Sequence, residues 1–289
     1  MTQSLIGTTL VSSRARWRSL AAVLLSAALL AACGDSAEDL LGKGKQELER
    51  KEYRTAVLHL KAALQKEPDL KEARYALGLA LRESGDLAGA EKELRRAVEL
   101  GHDPAQALPM LARVVFSQGR LDEFITEFSQ AQFATPEDNA DLHALLGNAS
   151  FSRGKQEDAA RHFDQALQLV PGHAPARVGH ARMAAARQDV PGAEKILAEV
   201  LAVSPKDREA LLTQSAVLLF KGDREGAIAV HRKLVEYYPE GVAERYSLTT
   251  QLLEAGKSAD AKASGDELAK LAPNDPRTHH VQVLATVEF

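Results

Sequence analysis

Apolar residues recur at helical spacing along most of this chain, in stretches of about 13 residues divided by short polar turns. Leu77 and Leu81, then Ala90, Leu94 and Ala97, mark one face of each of two such stretches, and the pairing repeats down the chain. Prolines at 68, 104, 136, 171, 205, 239 and 273 are spaced by 36, 32, 35, 34, 34 and 34 residues. Phased on them, Ala56, Ala90, Ala159, Ala193, Ala227 and Ala261 fall at place 20 of a 34-residue unit, with Phe124 in that slot of the third. Gly85, Gly119, Gly154, Gly222 and Gly256 fall at place 15, between the two stretches. This pattern predicts an all-α fold of antiparallel helix pairs stacked along one axis. The expected units are 37–70, 71–104, 105–138, 140–173, 174–207, 208–241 and 242–275. A final helix, 276–289, is either a cap or the torn edge of a longer array.

Each recurring residue has a physical reason. A small side chain at place 20 lets two helix axes cross at about 8–10 Å. Glycine at place 15 takes a left-handed conformation after the first helix without a Cβ penalty. Proline at place 32 lacks an N–H and restricts the residue before it, so the second helix stops. Sequences such as Ser84-Gly85-Asp86 and Lys221-Gly222-Asp223 then read as tight turns between helices.

The first 35 residues depart from this pattern. Arg14, Arg16 and Arg18 precede an uncharged run that ends at Cys33, and the first acidic residue is Asp35. The apolar stretch from Leu20 to Ala32 would measure about 20 Å as a helix, against about 30 Å for a hydrocarbon core. It is too short to span comfortably and reads as a signal peptide, 1–32. The run closes on Leu30-Ala31-Ala32-Cys33, which resembles a bacterial lipobox, and Cys33 is the sole cysteine of 289 residues. That resemblance implies acylation of the Cys33 thiol, with 33–36 as a short tether. Two or three acyl chains, at about 0.8 kcal/mol per buried methylene, would anchor the chain in effect permanently. Gly34 follows the cysteine and Asp35 stands one place too late for inner-membrane retention, so the expected location is the periplasmic face of the outer membrane.

Loss of the leader would take the formal charge from −4 to −7. An acidic body argues against nucleic acid as a partner. Hydrophobic content of 45% with 26% charged residues suits a folded helical protein. No phosphate loop, dinucleotide fingerprint, nucleophile elbow or metalloprotease motif occurs. Gly42-Lys43-Gly44-Lys45 lacks the spacing of a phosphate loop and falls within an expected helix. His279 and His280 point to different helix faces, so no metal and no cofactor are expected. The carboxylates sit among basic residues, as in Glu91-Lys92-Glu93 and Arg95-Arg96, where surface pairing is the ordinary explanation. An enzyme acting on a small-molecule substrate is not expected.

The recurring residues match positions of the tetratricopeptide repeat, most closely in the fourth unit with Leu146, Gly147, Ala159, Phe163, Ala166 and Pro171. In units five and six, His180 and Gln214 stand where leucine is usual. The resemblance covers about 240 residues and implies a right-handed superhelical solenoid whose inner wall is lined by places 2, 5, 9, 12 and 13 of each first helix. Those places hold Lys45, Arg113, Asn148 and Arg182, the aromatic residues Tyr75, Phe116, Phe151 and Tyr246, and Arg82. The wall is expected either to bind an extended segment or helix of an envelope protein or to be occupied by its own packing. The carboxylate clamp of chaperone-binding members is not reproduced, because Gly179, Glu209 and Thr213 stand at the needed places beyond Asn148.

Residues 30–120, including Ala32-Cys33-Gly34-Asp35-Ser36, Ala56 to Pro68 and Ala76 to Asp86, are similar to the tetratricopeptide-repeat lipoprotein of PEP-CTERM/exosortase systems. Members of that family are much longer. The resemblance implies a membrane-anchored periplasmic scaffold for envelope protein sorting or exopolysaccharide export. A second reading is an assembly factor for outer-membrane proteins or pili that takes extended client peptides.

Overall fold

The computed structural model describes residues 35–287, so the leader and Cys33 lie outside the described residues. Those described form fifteen helices and no strand. They are α1 (Ala37–Glu49), α2 (Tyr53–Lys66), α3 (Lys71–Glu83), α4 (Leu87–Glu99), α5 (Pro104–Ser117), α6 (Leu121–Phe128), α7 (Pro136–Ser152), α8 (Gln156–Leu169), α9 (Ala174–Ala186), α10 (Val190–Val203), α11 (Arg208–Phe220), α12 (Arg224–Tyr237), α13 (Val242–Glu254), α14 (Ser258–Leu271) and α15 (Pro276–Val287). Two compact units divide the chain after Ala107, within α5. In the first, α1 packs on α2, α3 on α4, and α2 on α3. In the second, α7/α8, α9/α10, α11/α12 and α13/α14 form successive hairpins, each also packed on the next, and α15 rests on α13 and α14.

The expected crossing points hold. Ala56, Ala90, Ala159, Ala193, Ala227 and Ala261 expose no surface, and neither does Phe124. Phe124 is accommodated by its own kind, edge-on to Phe116 at 5.4 Å and tilted against Phe128 at 5.3 Å. In the first, second and fourth repeats a glycine faces the crossing from the first helix. A Cβ on Gly44 would stand 2.6 Å from Leu60, and one on Gly78 would stand 2.7 Å from Leu94. In the second unit, Gly147 and Gly179 close on the same side chain. Cβ atoms there would stand 2.5 and 2.4 Å from the fully buried Phe163 ring.

The turn inside each pair also follows the pattern, with two exceptions. Gly85, Gly119, Gly154, Gly222 and Gly256 have φ of 88°, 75°, 73°, 81° and 67°. In the first and fifth units the same place is held by Lys51 and Gln188, with φ of 62° and 64°. A side chain in this region costs about 1–2 kcal/mol, partly offset because glycine loses more chain entropy on folding. Lys51→Gly and Gln188→Gly should therefore each stabilise the chain by about 0.5–1 kcal/mol. Gly222→Ala should weaken it by a similar amount, and the urea midpoints of the three variants read both signs.

One device was not anticipated. The residue opening the second helix is often aspartate with glycine three places on: Asp86, Asp189 and Asp223 accept from the backbone N–H of Gly89, Gly192 and Gly226 at 2.9, 3.0 and 2.8 Å. A Cβ on any of these glycines would lie 2.1–2.5 Å from the capping carboxylate. The glycine makes room for the cap that ends the turn.

The prolines divide into two groups. Pro68, Pro171, Pro205, Pro239 and Pro273 follow the second helix of a pair, as expected. Pro104 and Pro136 instead open α5 and α7. A first helical position suits proline equally well, because its missing N–H would have no partner there. At Pro136 the start is reinforced by Thr135, whose hydroxyl accepts from the N–H of Asp138 at 3.0 Å. The preceding helix, α6, is only 8 residues long. The segment that replaces its last turn is held by the Asn139 side chain, which bonds both N–H and C=O of Phe133 at 2.8 Å.

Candidate functional site

The residues singled out on the first helices fall into both compact units. In the first unit, Lys45 is exposed on α1 and Tyr75 on α3 stacks on His102, with ring centroids 4.3 Å apart. Arg82, near the end of α3, donates from Nε to Glu83 at 2.9 Å. In the second unit lie Arg113 and Phe116 on α5, Asn148 and Phe151 on α7, Arg182 on α9 and Tyr246 on α13. Phe116 and Phe151 are half-buried, the first against Phe124 and the second against the core around Phe163. Tyr246 is half-buried too, and its carbonyl accepts from Thr250 at 3.0 Å.

The arginines of the second unit are ion-paired with the helices around them. Arg113 donates to Asp141, and Asp141 also accepts from Nε2 of His173 at 2.9 Å. His173 Nδ1 in turn accepts from the N–H of Ala176, capping α9, so Nε2 carries the proton. Burial works against the Asp141 charge, but the hydrogen bonds from His173 and Arg113 outweigh it and hold its carboxyl below the ordinary range. Arg182 reaches in both directions. It donates to Asn148 Oδ1 at 3.2 Å, to Thr213 Oγ1 at 3.2 Å and to Glu209. One guanidinium thereby ties α9 to α7 on one side and to α11 on the other. Arg208 makes the next such link, donating to the buried Glu244 of α13.

Beside Arg182 the helices part. Arg182, Ala185, Ala186 and Gln188 on one side and Thr213, Ala216, Val217 and Phe220 on the other enclose a cleft of about 350 Å³. Thr213 and Val217 are its buried lining, and Ala185, Ala186 and Ala216 add only methyl groups, so α9 and α11 leave space that larger side chains would fill. Phe220, the last residue of α11, is 61% exposed at its edge. A cleft this size takes one or two apolar side chains, and Arg182 gives its rim a forked donor for a carboxylate or carbonyl. Glu209, 59% exposed, is the most readily displaced of the partners of Arg182, because so open a pair contributes only about 0–1 kcal/mol. Of the sequence candidates, only Arg182 lines this cleft. Ala185, Ala186, Ala216 and Phe220 occupy wall places 12, 13, 9 and 13, and the run of small residues beside one aromatic is the signal that could have found them. Among the described residues no group of three or more His, Cys, Asp or Glu is arranged to hold a metal.

Profiles described as tetratricopeptide repeat match residues 47–109 and 150–216, and a second profile of the same description matches 84–139 and 111–174. Together with the helix pairs, this decides the family. The chain belongs to the tetratricopeptide repeat (TPR) family. Human Tetratricopeptide repeat protein 13 is 30% identical over 122 residues, a match that spans 40% of this chain and 14% of that protein. A TPR protein of Parabacteroides merdae superposes with a TM-score of 0.62 at 19% identity, over 88% of this chain and all of that one. The Cut9–Hcn1 hetero-tetramer of APC/C gives 0.55 at 12% identity, over 86% and 52%. Pseudomonas aeruginosa PilF gives 0.50 at 20% identity, over 70% and 92%. At such identities these structures speak to the TPR fold alone.

Proposed function

We propose that this TPR chain is a scaffold anchored by acyl groups on Cys33 to the periplasmic face of the outer membrane, where it holds envelope proteins in sorting or exopolysaccharide export. The observation that carries the binding part of this reading is the cleft between α9 and α11, where an exposed Phe220 and an exchangeable Arg182–Glu209 pair stand beside small alanine side chains. Exposed aromatic and arginine residues at a concave patch are the kinds that dominate protein–protein binding energy. The lone cysteine at the end of a short apolar leader supports the anchored location.

Co-purification from detergent-solubilised envelopes tests this reading. Phe220→Asp with Arg182→Glu should remove the partners that the parent chain retains, at least tenfold by quantitative mass spectrometry. If every envelope partner is held equally by both chains, the cleft is not the docking surface. Stable retention of folded sorting or export components supports the scaffold reading. Retention of unfolded barrel or pilus subunits would replace it with the assembly-factor reading.

A further inference from the structure

In the fourth expected repeat, His143 of α7 and His162 of α8 face each other across the hairpin. Their Nδ1 atoms are 3.3 Å apart and the rings are nearly parallel, at 26° with centroids 5.5 Å apart. The corresponding places of the second repeat hold Arg74 and Glu93, also 19 residues apart and joined by a 2.6 Å ion pair. There the two helices are clasped by opposite charges. In the hairpin of α7 and α8 the clasp is replaced by two like bases, each presenting the same ring nitrogen to the other. Two such nitrogens meet through a proton carried by one of them or through a metal ion between them.

A proton can fill that role, one ring's Nδ1–H donating to the other, but 3.3 Å makes that hydrogen bond a long one. A metal ion fits better. Two imidazole nitrogens bound to zinc at about 2.0–2.1 Å with tetrahedral angles stand about 3.3–3.4 Å from each other. We propose that His143 and His162 form a two-nitrogen chelate for a divalent transition-metal ion of the zinc class, clasping α7 to α8.

Three further observations agree with a site of this kind. The helix spacing is set independently of the histidines, since Phe163, next to His162, is wedged against Gly147. The two nitrogens are thus held in register before any ion arrives. The Oε1 of Gln165, one turn on from His162, is buried without a hydrogen-bond partner. A carbonyl oxygen there can accept the remaining ring N–H, the outer-shell contact that metal-bound histidines usually make. Both rings are half-exposed, which leaves the other coordination positions to water or a small anion. The pair is separate from the α9/α11 cleft, and the proposal does not depend on the docking role of that cleft.

The test uses the full chain with Cys33→Ser, which removes the one thiolate that could bind metal on its own. After dialysis against EDTA, Zn²⁺ is titrated by calorimetry at neutral pH. One equivalent should bind, and His143→Ala or His162→Ala should weaken it at least tenfold. A second variant guards against misfolding: His143→Arg with His162→Glu rebuilds the clasp of Arg74 and Glu93. It should keep the parent's helical circular dichroism and melting midpoint in EDTA while losing the zinc site and the rise in midpoint that zinc gives the parent. Absence of stoichiometric binding in the parent, or binding that persists in the Arg/Glu variant, would overturn the proposal.

Discussion

Phe163→Ala should be among the most damaging single substitutions in the second compact unit, lowering stability by about 3–5 kcal/mol. The ring is fully buried and is enclosed by Gly147 of its own hairpin and Gly179 of the next. Its removal opens a cavity shared by two repeats, and neither glycine has a side chain to fill it. The complementary substitution makes the same point from the other side. Gly179→Ala would put a Cβ 2.4 Å from the ring, and overpacking of this kind costs about 1–3 kcal/mol. That outweighs the gain of up to about 1 kcal/mol from replacing glycine inside a helix. Gly42→Ala, in α1, meets nothing within 4 Å and should be stabilising. The same change therefore has opposite signs at two helical positions, read as urea midpoints by circular dichroism. Shrinking the ring in Phe163→Leu should make Gly179→Ala less harmful than it is alone. Equal midpoints for Gly179→Ala and Gly42→Ala would refute this account of the repeat contact.

Cys33→Ser should move the chain from the membrane to the soluble periplasmic fraction almost completely. Acylation supplies about 0.8 kcal/mol per buried methylene, and two or three chains hold a protein where one holds it only marginally. Among the described residues no helix is long and apolar enough to cross a membrane, and an acidic body is not drawn to anionic lipid. Fractionation with and without the substitution, combined with mass measurement of the mature amino terminus, reads the outcome. A parent chain that is already soluble, or a variant that stays in the membrane, would remove the anchor from the proposal.

The repeat was legible because its determinants are local or recur. Ala at place 20 and Gly at place 15 announce the crossing and the turn through residue size and backbone freedom. The two left-handed residues without glycine, Lys51 and Gln188, could be placed only by phase, since their own chemistry argues against that conformation. The prolines were half legible. Missing N–H groups suit both the turn after a helix and the first position of the next, and spacing alone did not separate Pro104 and Pro136 from the others. The Asp-x-x-Gly caps were present in the letters but carry meaning only once the start of each second helix is known.

The wall was harder to read because its chemistry lies between repeats. Place arithmetic picked out Arg182, but its bonds to Asn148, Glu209 and Thr213 span 34, 27 and 31 residues. Glu209 and Thr213, which departed from the expected clamp, turn out to be the groups that hold this arginine. The cleft beside it was missed because alanines carry no chemical signal of their own. They become a site only when two helices bring Ala185 and Ala186 opposite Ala216 and an exposed Phe220. The histidine pair was hidden in the same way, by a 19-residue separation that closes only across a hairpin.

The account rests most on contact through the α9/α11 cleft, and site-specific crosslinking in living cells tests it most directly. A photoreactive benzoylphenylalanine replaces Phe220, and in a parallel strain it replaces Val203, which is 81% exposed at the end of α10 and does not line the cleft. The account predicts a discrete adduct with an envelope protein from position 220 that is weak or missing from position 203. No adduct from 220, or the same set of adducts from both positions, would contradict it.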